Sequence, residues 1–183
     1  MHSLAGHLLV ASPRLPDENF SRTVVLIIHH DDQGAVGVIL NRPTNSTIQE
    51  IWDSFSDEPC DSDQLIHKGG PVSGPLLAIH TKESCAENEI LPGVYFASHR
   101  ERLDEIVREP DLPFRIYSDY SGWAPGQLEG ELEAGGWMVL PATFDYIFGD
   151  VETMWRKAAQ QVGEEITTPL LNEVPPPEDP SCN

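Results

Sequence analysis

Thr23-Val-Val-Leu-Ile-Ile28 is apolar on both of its alternating faces, and this run limits the possible folds more than any other stretch of the chain. Successive side chains on a strand point to opposite sides, so a strand without a polar face must be covered from both directions. Its β-branched residues favour strand over helix. Asp31-Asp-Gln-Gly34 then supplies turn residues and Ala35-Val-Gly-Val-Ile-Leu40 returns, which predicts a hairpin whose first strand is central in its sheet. Gly37 in the return strand marks a bulge or a close backbone approach.

The remaining elements follow from the same periodicities. Gly6 to Ala11 reads as a strand ended by Ser12-Pro13, and short strands are predicted at Leu65-Ile66, Leu76–Ile79, Val94–Ala97, Phe114–Tyr117 and Trp137–Leu140. Ile48, Ile51, Trp52 and Phe55 have helical spacing behind Thr47, which forms a capping-box pattern with Glu50. A second helix spans Glu101 to Glu109 and stops at Pro110. A third has Pro125 in its first turn, carries Leu128 and Leu132 on one face and ends at Gly135-Gly136, with Gly122-Trp123 as the turn before it. Asp150 caps the last helix, whose apolar stripe is Met154, Trp155, Ala158 and Val162, and Gly163 is read as its stop. Asp53 to Asp63, with five acidic residues and no basic one, reads as a solvated loop. Strands outnumber helices and do not alternate with them, so the expected fold is α+β, a single compact domain with a mixed, mainly antiparallel sheet flanked by helices. The domain is expected over residues 1–168, followed by a mobile acidic, proline-rich tail from 169 to 183.

Charge narrows the partners. Eleven Lys plus Arg against 30 Asp plus Glu leave a formal charge of −19, which repels nucleic acid and acidic membranes and disfavours direct nucleic-acid binding. No apolar block has the length of a membrane span, and no Lys or Arg precedes Leu8-Leu-Val-Ala11 as a signal peptide requires, so the expected location is the cytoplasm. The odd count of cysteines, Cys60, Cys85 and Cys182, fits a reducing compartment, with a Cys60–Cys85 bridge as the alternative.

Several groups are candidates for chemistry. His29-His30-Asp31-Asp32 combines imidazoles and carboxylates, yet neighbours on a strand point apart, so His30 with His80 and a carboxylate such as Glu129 is the more plausible metal set; the alternative is that strand-end histidines bond to loops. Gly69-Gly70-Pro71 lacks a phosphate-loop frame and is either a tight turn or a loop approached closely by ligand. Tyr120 to Glu131 offers Gly122, Trp123, Gln127 and a helix start as a binding surface, or else as a lock that ties the turn to the sheet; Glu129, Glu131 and Glu133 read as solvated charge. Arg42, beside Asn41, is either a fork for an anionic group or a tie between loops. No Gly-x-Ser-x-Gly elbow is present, and no cofactor or bound metal is expected.

Pro13 to Arg22, Asn41-Arg42-Pro43, Gly69-Gly70-Pro71-Val72 and Tyr120 to Trp137 recur in order along a chain that resembles the YqgE/AlgH family from about Gly6 to Gly163. That bacterial family is largely without an assigned biochemical activity, although one branch is linked by name to regulation of exopolysaccharide synthesis. The resemblance implies a compact α+β domain and marks Pro13, Phe20, Arg22, Asn41, Pro43, Gly69 to Pro71, Gly122, Trp123, Gln127, Leu128 and Glu131 as motif positions. His30 and His80 also fall on recurrent positions. Two functions follow as expectations: a non-catalytic binding or regulatory domain for a small ligand or protein partner, or a hydrolase or metal-assisted enzyme using His30 and His80.

Overall fold

In the computed structural model, which describes residues 2–56, 58–109 and 111–172, the predicted hairpin is β2 (Val24–Asp31) and β3 (Gly34–Ile39), paired antiparallel. With β1 (His7–Ala11), β10 (Ser121–Trp123) and β11 (Trp137–Pro141) it builds a five-stranded antiparallel sheet in the order β10-β3-β2-β1-β11. The stretch read as the Gly122-Trp123 turn is therefore an edge strand, because Ser121 to Trp123 finds a ladder partner in Ala35 to Gly37.

The fold is α+β, but its strands divide between two sheets. The second has six strands in the order β4-β5-β9-β6-β8-β7, comprising β4 (Pro43–Thr47), β5 (Leu65–Lys68), β6 (Leu77–His80), β7 (Asn88–Leu91), β8 (Val94–Ala97) and β9 (Phe114–Ser118). Its pairs are antiparallel except β5 with β9, which are parallel. Strands β4 and β7 escape sequence reading because Pro-Thr-Asn-Ser-Thr and Asn-Glu-Ile-Leu have little apolar alternation; their neighbours, not their propensity, make them strands.

Period-two alternation explains the layers. Leu8, Val10, Val24, Leu26 and Ile28 face inward to meet Leu77, Ile79 and Tyr117 of the second sheet, together with Met154, Ala158 and Val162 of α5 (Val151–Asn172). Leu9, Ala11, Val25 and Ile27 face the other way and pack with Leu128 of α3 (Gln127–Glu133), Trp123 and Trp137. The outer face of the second sheet is covered by α1 (Ile48–Phe55) and α2 (Arg100–Val107) around Trp52, Leu103 and Ile106. A short α4 (Phe144–Phe148) precedes α5, and its Ile147 joins the central cluster.

Local signals held where they were self-contained. Thr47 Oγ1 accepts from the Glu50 amide while the Glu50 carboxylate accepts from the Thr47 amide, completing the capping box. Asp150 accepts from the Glu152 amide at the start of α5. Pro125 falls just before α3, whose N-cap is Gly126 at φ +75°, and α5 runs through Gly163 to Asn172. Residues 173–183 of the expected tail lie outside the described residues, as does Pro110. The acidic loop after α1 is not simply solvated: Cys60 is buried, and Arg108 donates to the carbonyls of Glu58 and Pro59. Cys60 and Cys85 are free thiols. Among the described residues no helix is long and apolar enough to cross a membrane.

Candidate functional site

The residues singled out from sequence separate into four places. At the end of β2, a bulge between Ile27 and His29 opposite Gly37 shifts the alternation by one residue. His30 rather than His29 thus turns toward α3. Its Nε2 lies 2.8 Å from Glu129 Oε1, and its Nδ1 accepts from the Leu4 amide at 3.0 Å, which fixes the tautomer with hydrogen on Nε2. Both ring nitrogens are used, and Ser3 Oγ bonds the His30 carbonyl. Contact with His30 and its own helix holds the Glu129 carboxyl below its usual range, the helix amide contributing most.

His80 sits in the other sheet, fully buried on β6, with its ring against Tyr95 and its Nδ1 accepting from the Lys82 amide. Burial lowers it to about 4, so it is neutral at physiological pH. His30 and His80 have separate partners in separate sheets. Among the described residues no group of three or more His, Cys, Asp or Glu is arranged to hold a metal ion. Burial above all, with Glu105 nearby, also pushes the Cys85 thiol up, the reverse of what a reactive cysteine needs.

Glu131, read as solvated charge, is the centre of an aromatic lock. Its Oε2 accepts from Trp123 Nε1 at 2.9 Å and Trp137 Nε1 at 2.8 Å, while Oε1 accepts from Gln127 Nε2 at 2.9 Å. Gln127 Oε1 in turn accepts from the Ala124 amide, and Phe20 stacks on Trp123 and meets Trp137 edge-on. These polar groups therefore serve one another. A cleft of about 820 Å³ runs beside them between Ser12–Asp17 and Gly135–Met138.

Gly69 and Gly70 form a crossing point between the sheets. A Cβ on Gly69 would stand 2.4 Å from the Asp119 carbonyl oxygen, and one on Gly70 would stand 2.2 Å from the Tyr120 carbonyl. The Gly69 carbonyl accepts from the Ile39 amide and from Ser121 Oγ, and Val72 bridges to Tyr120 beyond the exposed Pro71. The requirement for glycine is met by close approach of backbone, with Gly122 on the neighbouring edge strand.

Arg22, Asn41 and Arg42 are brought together, and α5 adds what the sequence reading missed. A cavity of about 570 Å³ is lined by Arg22, Asn41, Arg42, Val151, Glu152, Trp155 and Arg156. Asn41 positions the others: its Oδ1 accepts from the Val24 amide and its Nδ2 donates to the Arg22 carbonyl. Arg22 stands in the left-handed region at φ +55°, with its guanidinium 5.9 Å from the centroid of the Trp155 ring. Arg42 donates to the Ser21 carbonyl, so it ties loops while still lining the cavity. Among the described residues none of these three arginines is in an ion pair with a carboxylate. Arg156 was legible only as an exposed helical position; its neighbour Trp155 entered the predicted stripe, and nothing in residue spacing linked either to Arg22.

Comparison with known proteins gives this arrangement its context. A family model described as AlgH-like matches residues 8–167. The chain belongs to the AlgH-like family. It is 36% identical over 166 residues to a UPF0301 protein of Chlorobium chlorochromatii, covering 87% of this chain and 86% of that one. A Streptomyces coelicolor UPF0301 protein is 35% identical over 197 residues, covering 99% and 96%. Among solved structures, the AlgH protein of Pseudomonas aeruginosa superposes with a TM-score of 0.71 at 27% identity, over 94% of this chain and 95% of that one. The YqgE/AlgH resemblance read from the four motifs is thus shown. Of those motif positions, Trp123, Gln127 and Glu131 converge on the aromatic lock, and Arg22 and Asn41 on the arginine-lined cavity.

Proposed function

We propose that the protein is a non-catalytic binding domain that takes a small ligand through an anionic group, held between Arg22, Arg42 and Arg156 beside the first turn of α5. One observation carries the reading: in a chain of net charge −19, three arginines that have no ion-pair partner among the described residues line one cavity of about 570 Å³, against the single carboxylate of Glu152. Guanidinium groups present planar forks that match carboxylate or phosphate oxygens, and such bonds are stronger than neutral ones. Surface screening acts over about 8–10 Å, so a local cationic cavity attracts an anion despite the overall negative charge. The backbone strain at Arg22 supports the same reading, because a non-glycine residue at positive φ costs about 1 kcal/mol and is retained where position matters. An acidic side chain of a protein partner is chemically the same group and would dock on the same arginines. The use of both His30 nitrogens inside the fold, and the isolation of His80, favour binding over hydrolysis. Buried free thiols agree with a cytoplasmic setting.

Pyrophosphate tests the proposal by fluorescence titration of the full chain, with Trp155 as reporter. The expected result is a saturable change that is lost in Trp155→Phe, weakened at least tenfold in Arg42→Gln and in Arg156→Gln, and reduced by salt. Absence of a saturable change with pyrophosphate and with citrate, or full affinity in both arginine variants, overturns it.

A further inference from the structure

A second polar cluster lies on the inner face of the six-stranded sheet, where the surroundings are otherwise apolar. Strands β5 and β9 run parallel, and His67 is the register partner of Tyr117. Alternation along β9 puts Arg115 on the same face as Tyr117, while Phe114 and Ile116 pack on the opposite face among the residues of α1 and α2. Four buried side-chain polar atoms lack a hydrogen-bond partner among the described residues, and three belong to this cluster: His67 Nδ1, Arg115 Nη1 and Tyr117 Oη. His67 is 8% exposed and Tyr117 is fully buried. The Tyr117 hydroxyl stands close to the Arg115 guanidinium and the His67 ring close to the Leu40 backbone, so the neutral groups have neighbours within the fold and the charge of Arg115 is what lacks compensation.

His67 and Arg115 of this cluster line a cavity of about 600 Å³ together with residues 148–152, and Tyr117 is buried behind that wall. Arg115 Nη2 donates to the Gly149 carbonyl, which aims the guanidinium, and the Tyr117 hydroxyl stands beside it. Among the described residues Arg115 has no carboxylate partner. Asp150, on the cavity wall, is occupied by the Glu152 amide and the Thr153 hydroxyl, and the Glu152 side chain stands on the wall shared with the arginine-lined cavity. Two neutral groups flank the cation. Burial, with Arg115 adding to it, lowers His67 to about 4, and burial raises Tyr117 to about 12. A half-buried guanidinium without a counter-ion, beside a phenol hydroxyl and an imidazole, is the donor set that an oxyanion satisfies.

We infer that this cavity is an oxyanion site for the carboxylate or phosphoryl group of a small acidic metabolite, with Arg115 as the donor on its wall, His67 beside it, and the buried Tyr117 hydroxyl behind the guanidinium as a positioning group. It is separate from the arginine-lined cavity in every residue except Val151 and Glu152, so its test is independent of the proposed function.

Side-chain NMR of the full chain tests it by titration with inorganic phosphate and, separately, acetate. At least one anion is expected to shift the His67 imidazole and Tyr117 ring resonances saturably and to raise the pH at which His67 protonates. The response to phosphate alone, to acetate alone or to both identifies the group the site prefers. Arg115→Gln is expected to weaken binding at least tenfold and Arg42→Gln to leave it unchanged. Tyr117→Phe removes only the hydroxyl, keeps the packed ring and is expected to weaken binding severalfold, which keeps the test available should Arg115→Gln not fold. No saturable shift with either anion, unchanged affinity in Tyr117→Phe, or a water molecule alone bridging the three side chains in a crystal soaked with phosphate overturns the inference.

Discussion

Replacing Glu131 by Ala removes one carboxylate that serves two indoles and an amide. Trp123 and Trp137 are 5% and 4% exposed, so their N–H groups have little access to water once the acceptor is gone. Leaving a buried donor unpaired costs about 1–3 kcal/mol each, whereas Gln127 is exposed and its amide regains water. Partial entry of water into the vacated space offsets some of this, which puts the expected loss at about 3 kcal/mol, a large fraction of a typical domain's stability of about 5–15 kcal/mol. Glu131→Gln keeps one carbonyl oxygen for both indoles and opposes its amide to that of Gln127, so about 1 kcal/mol is expected. Urea unfolding followed by far-ultraviolet circular dichroism avoids reading the tryptophans directly. With a urea slope of about 2 kcal/mol/M, Glu131→Ala should lower the midpoint by about 1.5 M and Glu131→Gln by about 0.5 M, at unchanged slope. Equal midpoints for the two variants, or a shift below about 0.3 M for Glu131→Ala, would refute the assignment of Glu131 as the shared acceptor. Pyrophosphate binding by folded Glu131→Gln should match the parent, since Glu131 does not line the arginine cavity.

Arg22→Gly relieves the left-handed backbone strain while removing a guanidinium; unfolding free energy should hold or rise by up to about 1 kcal/mol while pyrophosphate affinity falls, and a parallel loss of both would mean that Arg22 is structural. Gly70→Ala drives a Cβ to 2.2 Å from the Tyr120 carbonyl and should cost about 2–4 kcal/mol in urea unfolding; a change under 0.5 kcal/mol would contradict the close crossing. His67 and His80 stay neutral in the fold down to about 4 against an ordinary 6.5, so between these values the unfolded chain binds protons that the folded chain does not. Their contribution therefore falls as pH drops through that window, by up to about 3 kcal/mol each, and His80→Gln should flatten the stability-versus-pH slope there; an unaltered slope refutes the linkage.

The sequence determined the features whose physics is local or periodic. Both faces of Val24 to Ile28 are apolar, and the strand is buried on both; Thr47 and Glu50 stand three residues apart, and they cap α1. The ordered motifs that mark the family were legible for the same reason, as each is a short run of residues. Tertiary structure decided where those runs meet. The division into two sheets follows from pairings such as β5 with β9, which join residues far apart in the chain and leave no trace in the periodicity of either strand. A one-residue bulge turned His30 toward Glu129, and the reading of Glu131 as solvated charge said nothing of two indoles waiting for an acceptor. Arg156 beside Arg22, and His67 beside Arg115, are products of packing between distant elements, because a side chain's chemistry is written in its own residue while its partners are set by the path of the whole chain.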